Sequence, residues 1–391
     1  MVDLFNPTDE HHALRRMVRE FTEKEIEPQA LAADAAETFD RPLFERLGAL
    51  GLLGITVDER FGGSAMDPLA AVIVHEEISA SDPGFCLAYL AHSMLFVNNL
   101  QVNGSDEQRM KWLPPACSGE AIGGMCMSEP GAGTDVLGMA TTARKDGNEY
   151  VINGAKLWIT NGALDDHTLG DIFLVYARTG GSRRDVSLFL VDRDNPGLKL
   201  GQRLKHKLGM RASGTAELVF EDCRVTTADL VGAEGDAVLH MMKNLEIERL
   251  TLAAMSLGIA RRCIQTMNRY ASERKSFGRP IRQFGQIQRY IAESYAEYMA
   301  GRSYVYHTAG QLGTSNAHTR LDSDGVKLYC STMAKNVADR AIQVLGGYGY
   351  MGEYHVERLW RDAKLLEIGG GTLEAHQKNM TNDLEAIDTL K

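Results

Sequence analysis

The sequence predicts an α+β chain in three parts: an N-terminal α-helical domain over 1–120, a middle antiparallel, β-barrel-like domain over 121–235, and a C-terminal four-helix bundle over 236–391. Three observations predict it. Apolar residues recur at helical spacing as far as Gly119. From Ala121 onward the texture changes to short β-branched and aromatic runs separated by Gly, Asn and Asp. From Asp236 helical periodicity returns in segments long enough for a bundle.

The first part is carried by Leu14, Met17, Val18, Phe21 and Ile26, spaced helically amid charge, and by the stretches 43–53 and 69–79. Gly62-Gly63 and Asp82-Pro83-Gly84 punctuate it as loops. In the middle part Tyr150 to Lys156, Asp171 to Ala177, Val186 to Val191 and Ala216 to Phe220 read as strands. In the last part helices are expected at about 237–272, 285–313, 322–345 and 354–368. No short-period repeat or low-complexity segment stands out.

Composition narrows the function classes. With 44% hydrophobic and 24% charged residues, the 391-residue chain is ordinary for a globular protein with a sizeable core. The formal net charge of −10 argues against nucleic acid as a partner, though not against a local basic pocket. The six cysteines form no CxxC pair, which fits a reducing compartment and no structural metal. No run of 18 or more apolar residues suggests a membrane span. The acidic, polar stretch Met1 to Glu10 does not look like a signal peptide. The expected location is the cytoplasm, or the mitochondrial matrix if a transit segment has been removed.

Several segments could carry chemistry. Met241, Leu245, Leu252 and Met255 form an apolar helical stripe with Glu248 in its middle. A carboxylate there is either a buried Glu paired with an Arg or a general base whose pKa is raised by desolvation. Met127 to Asp135, with one Pro and two Gly, is either a plain connection or a turn whose backbone N–H groups meet a polar cofactor edge. Lys156 to Gly162 is either an ordinary strand end or a ring-binding edge built from Trp158 and Thr160. Gly347 to Gly352 spells GxGxxG, but a helix precedes it, so it reads as a turn between helices and not as a dinucleotide fingerprint. Gly369 to Thr372 is a second glycine cluster, either a helix C-cap or a place of close backbone approach to a ligand. His75-Glu76-Glu77-Ile78-Ser79 is not HExxH, and no GxSxG elbow occurs.

Together and in this order, Ser128 to Asp135, Trp158 to Thr160, Glu248-Arg249, Arg274 to Gly278, Gln343 to Gly347 and Arg361 to Lys364 resemble the acyl-CoA dehydrogenase family. The similarity runs from about Asp9 to Thr372, and the family's fold has the same α–β–α plan. The resemblance implies FAD as cofactor, an acyl-CoA substrate, an electron-transfer flavoprotein as acceptor, and a homo-oligomer, dimer or tetramer. It implies flavin contacts from Met127, Ser128, Gly133, Thr134, Trp158 and Thr160. It implies further cofactor contacts from Arg274, Phe277, Gln343, Gly346 and Gly347, given to a neighbouring subunit, and from Thr372 and Glu374. Thr134, Glu246, Arg249 and Gly371 would contact substrate.

Many members of the family carry the catalytic base as Glu just before the Gly-Thr pair near the C-terminus, where this chain has Gly370. A minority, including isovaleryl-CoA dehydrogenase, place it where this chain has Glu248. The resemblance therefore makes Glu248 the base and gives the Gly370 backbone N–H to the thioester oxygen. No Lys or Arg occurs between Arg60 and Arg109, the stretch that lines the acyl end in the family, which argues against a dicarboxylyl substrate. Cys86 to Leu95 is similar to the isovaleryl type, so a short, branched or cyclic apolar acyl group is expected. Two departures from the family pattern are an apparent insertion at Asp165 to Gly170 and a Gly285 where a Gln is frequent. Rival readings are an oxidase using oxygen, an eliminating flavin enzyme and a non-catalytic CoA-ester-binding protein.

Overall fold

The computed structural model describes residues 3–312 and 319–385. The N-terminal helices are α1 (Asp9–Phe21), α2 (Glu27–Ala36), α3 (Arg41–Ala49), α4 (Pro68–Ser79), α5 (Pro83–Leu90), α6 (Asn99–Asn103) and α7 (Asp106–Ser118). Their starts are written in the sequence. Asp40, Asp67 and Asp82 each accept a backbone N–H three residues on, and a proline stands in the first turn that follows. Ser105 and Gln108 close a reciprocal capping box at the start of α7. Wide-turn π-helical segments at Thr22–Ile26 and Ala91–Asn98 join α1 to α2 and α5 to α6.

Every residue of α4 after Pro68 is buried, including Glu76 and Glu77. Such charges need partners. Glu77 is bound by Arg15, Arg19 and Arg261, and Glu76 by Arg15 and Arg302 with the phenols of Tyr298 and Tyr306. The arginines come from α1, from α8 (Ala237–Glu273) and from α9 (Gly285–Gln311), so the cluster ties the N-terminal helices to the bundle.

The middle part is one eight-stranded sheet. Its strands are β1 (Gly123–Cys126), β2 (Thr142–Asp146), β3 (Glu149–Thr160), β4 (Ile172–Arg178), β5 (Val186–Asp192), β6 (Leu198–Arg203), β7 (Thr215–Thr226) and β8 (Leu230–Val231). The order is β6-β7-β3-β2-β4-β5-β8, with β1 added on β4. Most pairs are antiparallel as expected, but β1 and β2 lie parallel to β4. The strand β1 enters from the N-terminal helices, where Asp171 Oδ2 accepts from Ile122 N at 2.8 Å and fixes its start beside β4. The apparent insertion folds as a turn of its own: Asp165 accepts from the backbone of His167 and Thr168, and Asp166 pairs with Arg203 and Lys205.

The third part packs α8 against α10 (Thr319–Leu345) and α9, with α12 (Val356–Leu366) beside them. The short α11 (Gly347–Tyr350) sits in the glycine turn, so that segment is indeed a connection between helices. The last expected helix ends at Leu366, and a further one, α13 (Leu373–Glu385), follows the triple glycine. The sequence reading did not separate it. It starts where Thr372 Oγ1 accepts from Ala375 N. Residue 313, the expected end of the second long helix, lies outside the described residues.

Candidate active site

Glu248 is buried in mid-α8, 6% exposed, among Met241, Leu252 and Met255 of its own stripe. Burial pushes its carboxyl up to about 7, against the opposing pull of the Arg249 and Lys327 charges. Its Oε2 has no hydrogen-bond partner among the described residues. A desolvated, unpartnered carboxyl group of this kind is suited to exchanging a proton with a ligand near neutral pH. The phenol of Tyr176 on β4 faces the same charge and accepts from Asn99.

Across from Glu248 stands the glycine turn. Gly370 and Gly371 have φ of 67° and 99°, values that favour glycine. A Cβ placed on Gly370 would lie 3.3 Å from Glu248 Oε1 and 2.2 Å from Leu252 Cδ1. The two positions that the sequence contrasted as alternative sites for one base therefore open onto the same space. Any side chain at 370 would project at the carboxylate that Glu248 already supplies.

The other expected residues fall differently. Arg249 is 8% exposed, and its Nη1 donates to Asp324 Oδ2 at 3.2 Å. Its Nε is buried with no hydrogen-bond partner among the described residues, so the pairing with Asp324 occupies only part of the guanidinium. Glu246 is half-buried and, two residues from Glu248, points to the opposite side of the helix. The Gly371 carbonyl accepts from Lys327 and His376. Thr372 caps α13, and Glu374 is exposed on its first turn.

The loop from Met127 to Asp135 is held from beneath by Lys156, whose Nζ donates to Met127 O at 3.1 Å and to Glu129 Oε1 at 2.9 Å. Glu129 also accepts from the backbone of Ala140 and Thr141. Leu157 N donates to Ser128 O, so this loop and the end of β3 form one unit. Between Lys156 and Ile159 the β3–β7 register shifts. Within that bulge Trp158 has a φ of 62° and is 55% exposed, with Thr160 half-buried just beyond it. Gly131 and Gly133 face open space. A presented aromatic ring beside an open glycine turn fits the edge of a planar cofactor.

Arg274, Gly346 and Gly347 gather around a cavity of about 590 Å³ with Tyr270, Ile281 and Tyr348. Gln343 is exposed on the preceding turn of α10. Phe277, at the tip of the β9 (Lys275–Ser276) and β10 (Arg279–Pro280) hairpin, is 94% exposed. Arg274 caps α8, roughly 39 Å along the helix axis from Glu248 at 1.5 Å per residue. One chain thus carries two separated groups of the expected cofactor residues.

Family models match in three consecutive pieces: the N-terminal domain of acyl-CoA dehydrogenase over residues 8–120, the middle domain over 124–223 and the C-terminal domain over 238–384. The chain belongs to the acyl-CoA dehydrogenase family. It is 40% identical over 376 residues to the mitochondrial isovaleryl-CoA dehydrogenase of Pongo abelii, covering 95% of this chain and 87% of that one. Among solved structures it resembles butyryl-CoA dehydrogenase from Megasphaera elsdenii, with a TM-score of 0.92 and 32% identity over 97% of this chain and 98% of that chain. It also resembles a glutaryl-CoA dehydrogenase from Mycobacterium smegmatis in complex with FADH2, with a TM-score of 0.91 and 27% identity over 98% and 96%. This acyl-CoA dehydrogenase is thus a flavin-dependent oxidoreductase of a family that uses FAD. Among the described residues no helix is long and apolar enough to cross a membrane.

Sequence reasoning missed Asp324, Lys327, His376, Lys156 and Tyr176. A signal existed for two of them. Asp324, Lys327, Ser331 and Ala334 step three, four and three along α10 and are all buried, so two charges interrupt a core-facing stripe.

Proposed function

We propose that this protein dehydrogenates a short, branched-chain or cyclic apolar acyl-CoA between its α and β carbons, with Glu248 as the base. The α-proton passes to the Glu248 carboxylate. The Gly370 backbone N–H donates to the thioester oxygen and stabilises the negative charge that develops there. FAD, when bound, supplies the two-electron acceptor for the hydride that leaves the β-carbon. Loss of one proton and one hydride leaves the α,β double bond.

The observation that carries this reading is the shared space: Glu248 Oε1 lies where a side chain on Gly370 would point. An apolar acyl group is supported by the Cys86–Leu95 stretch, whose helix packs against α8 and brings no cationic partner for a second carboxylate. Met127, Ser128, Gly133, Thr134, Trp158 and Thr160 would hold the flavin and its surroundings, with Thr134 also beside substrate. Arg274, Phe277, Gln343, Gly346 and Gly347 would serve the cofactor of a neighbouring copy, since Arg274 and the Gly346-Gly347 turn beside it stand at the far end of α8 from Glu248. This supports a homo-oligomer, dimer or tetramer. Electrons would leave to an electron-transfer flavoprotein.

The test is anaerobic bleaching of the flavin by a panel of straight, branched and cyclic acyl-CoAs. Fast bleaching by a short branched or cyclic member supports the reading, and no bleaching by any member refutes it. Comparing oxygen uptake with flavoprotein reduction identifies the acceptor.

A further inference from the structure

Behind the Gly369–Gly371 turn lies a buried cluster that the proton and hydride transfers leave unused. Lys327 Nζ donates to Gly371 O at 3.3 Å and also to Leu366 O. His376 Nε2 lies 3.1 Å from the same Gly371 O, and its Nδ1 meets Asp324 Oδ1. Arg249 Nη1 holds the other oxygen of Asp324. Asp324, Lys327 and His376 are each 0% exposed.

Both ring nitrogens of His376 face acceptors, a carbonyl on one side and a carboxylate on the other. A neutral imidazole has one N–H, so the tautomer decides which of the two contacts His376 donates to, and the Nε2–H form is the one that donates to Gly371 O. Burial draws the proton affinity of His376 below the ordinary histidine value, and the hydrogen bond to Asp324 works against that. Arg249 compensates the charge on Asp324. The cluster reaches the backbone at two carbonyls, Leu366 O through Lys327 alone and Gly371 O through both Lys327 and His376.

The Gly371 carbonyl matters because three glycines in a row are the least constrained backbone in the chain. Two donors on Gly371 O fix the turn that presents Gly370 N–H. Close approach is needed: a Cβ on Gly371 would come within 3.0 Å of the His376 ring. Lys327 does a second thing. Its ammonium is one of the two charges that favour the ionised form of Glu248.

We propose that Lys327 and the Asp324–His376 pair are positioning residues for the dehydrogenation, locking the glycine turn so that Gly370 N–H meets the thioester oxygen while the Lys327 charge faces Glu248. The proposal rests on the dehydrogenase reading above. The charged and titratable groups acting on Glu248 are Arg249 on its own helix, Lys327 on α10 and Tyr176 on β4, with Asp324 and His376 behind them, Asp324 paired to Arg249 and to His376.

The experiment uses the flavin-loaded protein and His376→Ala, His376→Gln and Lys327→Met. Three quantities are read: flavin bound per chain, the pH dependence of kcat/KM, and solvent deuterium exchange at the α-carbon of 3,3-dimethylbutyryl-CoA by NMR. That ester has α- but no β-hydrogen, so exchange reports deprotonation without oxidation. His376→Ala should bind flavin normally yet exchange at least about tenfold more slowly, because a misaligned oxyanion donor costs rate. His376→Gln, whose amide can still donate to Gly371 O, should recover much of that loss. Lys327→Met should move the acid limb of kcat/KM to higher pH. Wild-type exchange in His376→Ala, or an unmoved limb in Lys327→Met, overturns the proposal. If His376→Ala does not fold, the Lys327→Met limb decides alone. A wild-type protein that neither exchanges nor oxidises any acyl-CoA overturns the dehydrogenase reading and this proposal together. Normal wild-type activity with unaffected His376 and Lys327 variants overturns this proposal alone.

Discussion

Replacing Glu248 by Gln removes the base and keeps the shape, and its consequences can be worked from burial. The carboxyl stands at about 7 in the folded chain against an ordinary value of 4.5. A base at about 7 is roughly one-tenth ionised at pH 6 and nine-tenths ionised at pH 8. The kcat/KM for flavin reduction should therefore rise about tenfold between those values in the wild type, since kcat/KM reports the free enzyme. In Glu248→Gln the limb should vanish and the rate fall by about 10²- to 10⁴-fold, the usual contribution of a positioned base. Stopped-flow flavin bleaching across the pH range measures both.

The same shift has a stability consequence. Because the folded pKa is raised, the folded state holds a proton that the unfolded state releases, and stability is lost as pH climbs from about 4.5 to about 7. At about 1.4 kcal/mol per pH unit, the ionised carboxylate costs about 3 kcal/mol above that window. Glu248→Gln should thus melt higher than wild type at pH 8, with the difference narrowing toward pH 5. A variant that reacts within a few-fold of wild type, or a flat wild-type profile from pH 6 to 8, would refute the assignment of Glu248.

Three further outcomes are expected. The double swap Glu248→Gly with Gly370→Glu should bleach flavin at least tenfold faster than Glu248→Gly alone; Leu252 Cδ1 must yield, and a Glu at a φ of 67° costs roughly 1–2 kcal/mol. Lys156→Met leaves the buried Glu129 of the 127–135 loop without its cationic partner, held only by the N–H groups of Ala140 and Thr141, a loss of up to about 3–5 kcal/mol, and should lower both the melting temperature and the flavin content of purified protein. The three arginines around Glu77 hold its carboxyl well below the ordinary carboxylate value, so its contribution is full above that value and fades as pH falls below it. Glu77→Gln should melt lower at neutral pH and lose part of the acid sensitivity, as followed by circular dichroism.

Much of the fold was legible because its signals are local. The Asp-Pro helix starts, the strand runs and the long helical periods each lie within one stretch of sequence, and the helices at 237–273 and 285–311 appear almost where periodicity placed them. Where the reading fell short, the determinant was not local. The parallel placement of β1 depends on Asp171, 49 residues from the Ile122 it binds. The separate helix α13 depends on how three glycines turn, and glycine permits many paths.

For the site, the sequence by itself determined that a carboxylate stands in an apolar stripe of α8 and that the family's other base position is glycine. It also supplied the loop and bulge segments expected around a cofactor. Only the tertiary structure decided that Glu248 and Gly370 face one another, because 122 residues separate them and nothing in either segment encodes the other's direction. It also decided that Arg249 turns to Asp324 and that His376 and Lys327 meet on the Gly371 carbonyl. Those are contacts between α8, α10 and α13. A buried charge announces in sequence that it must be paired, but packing of distant helices chooses the partner.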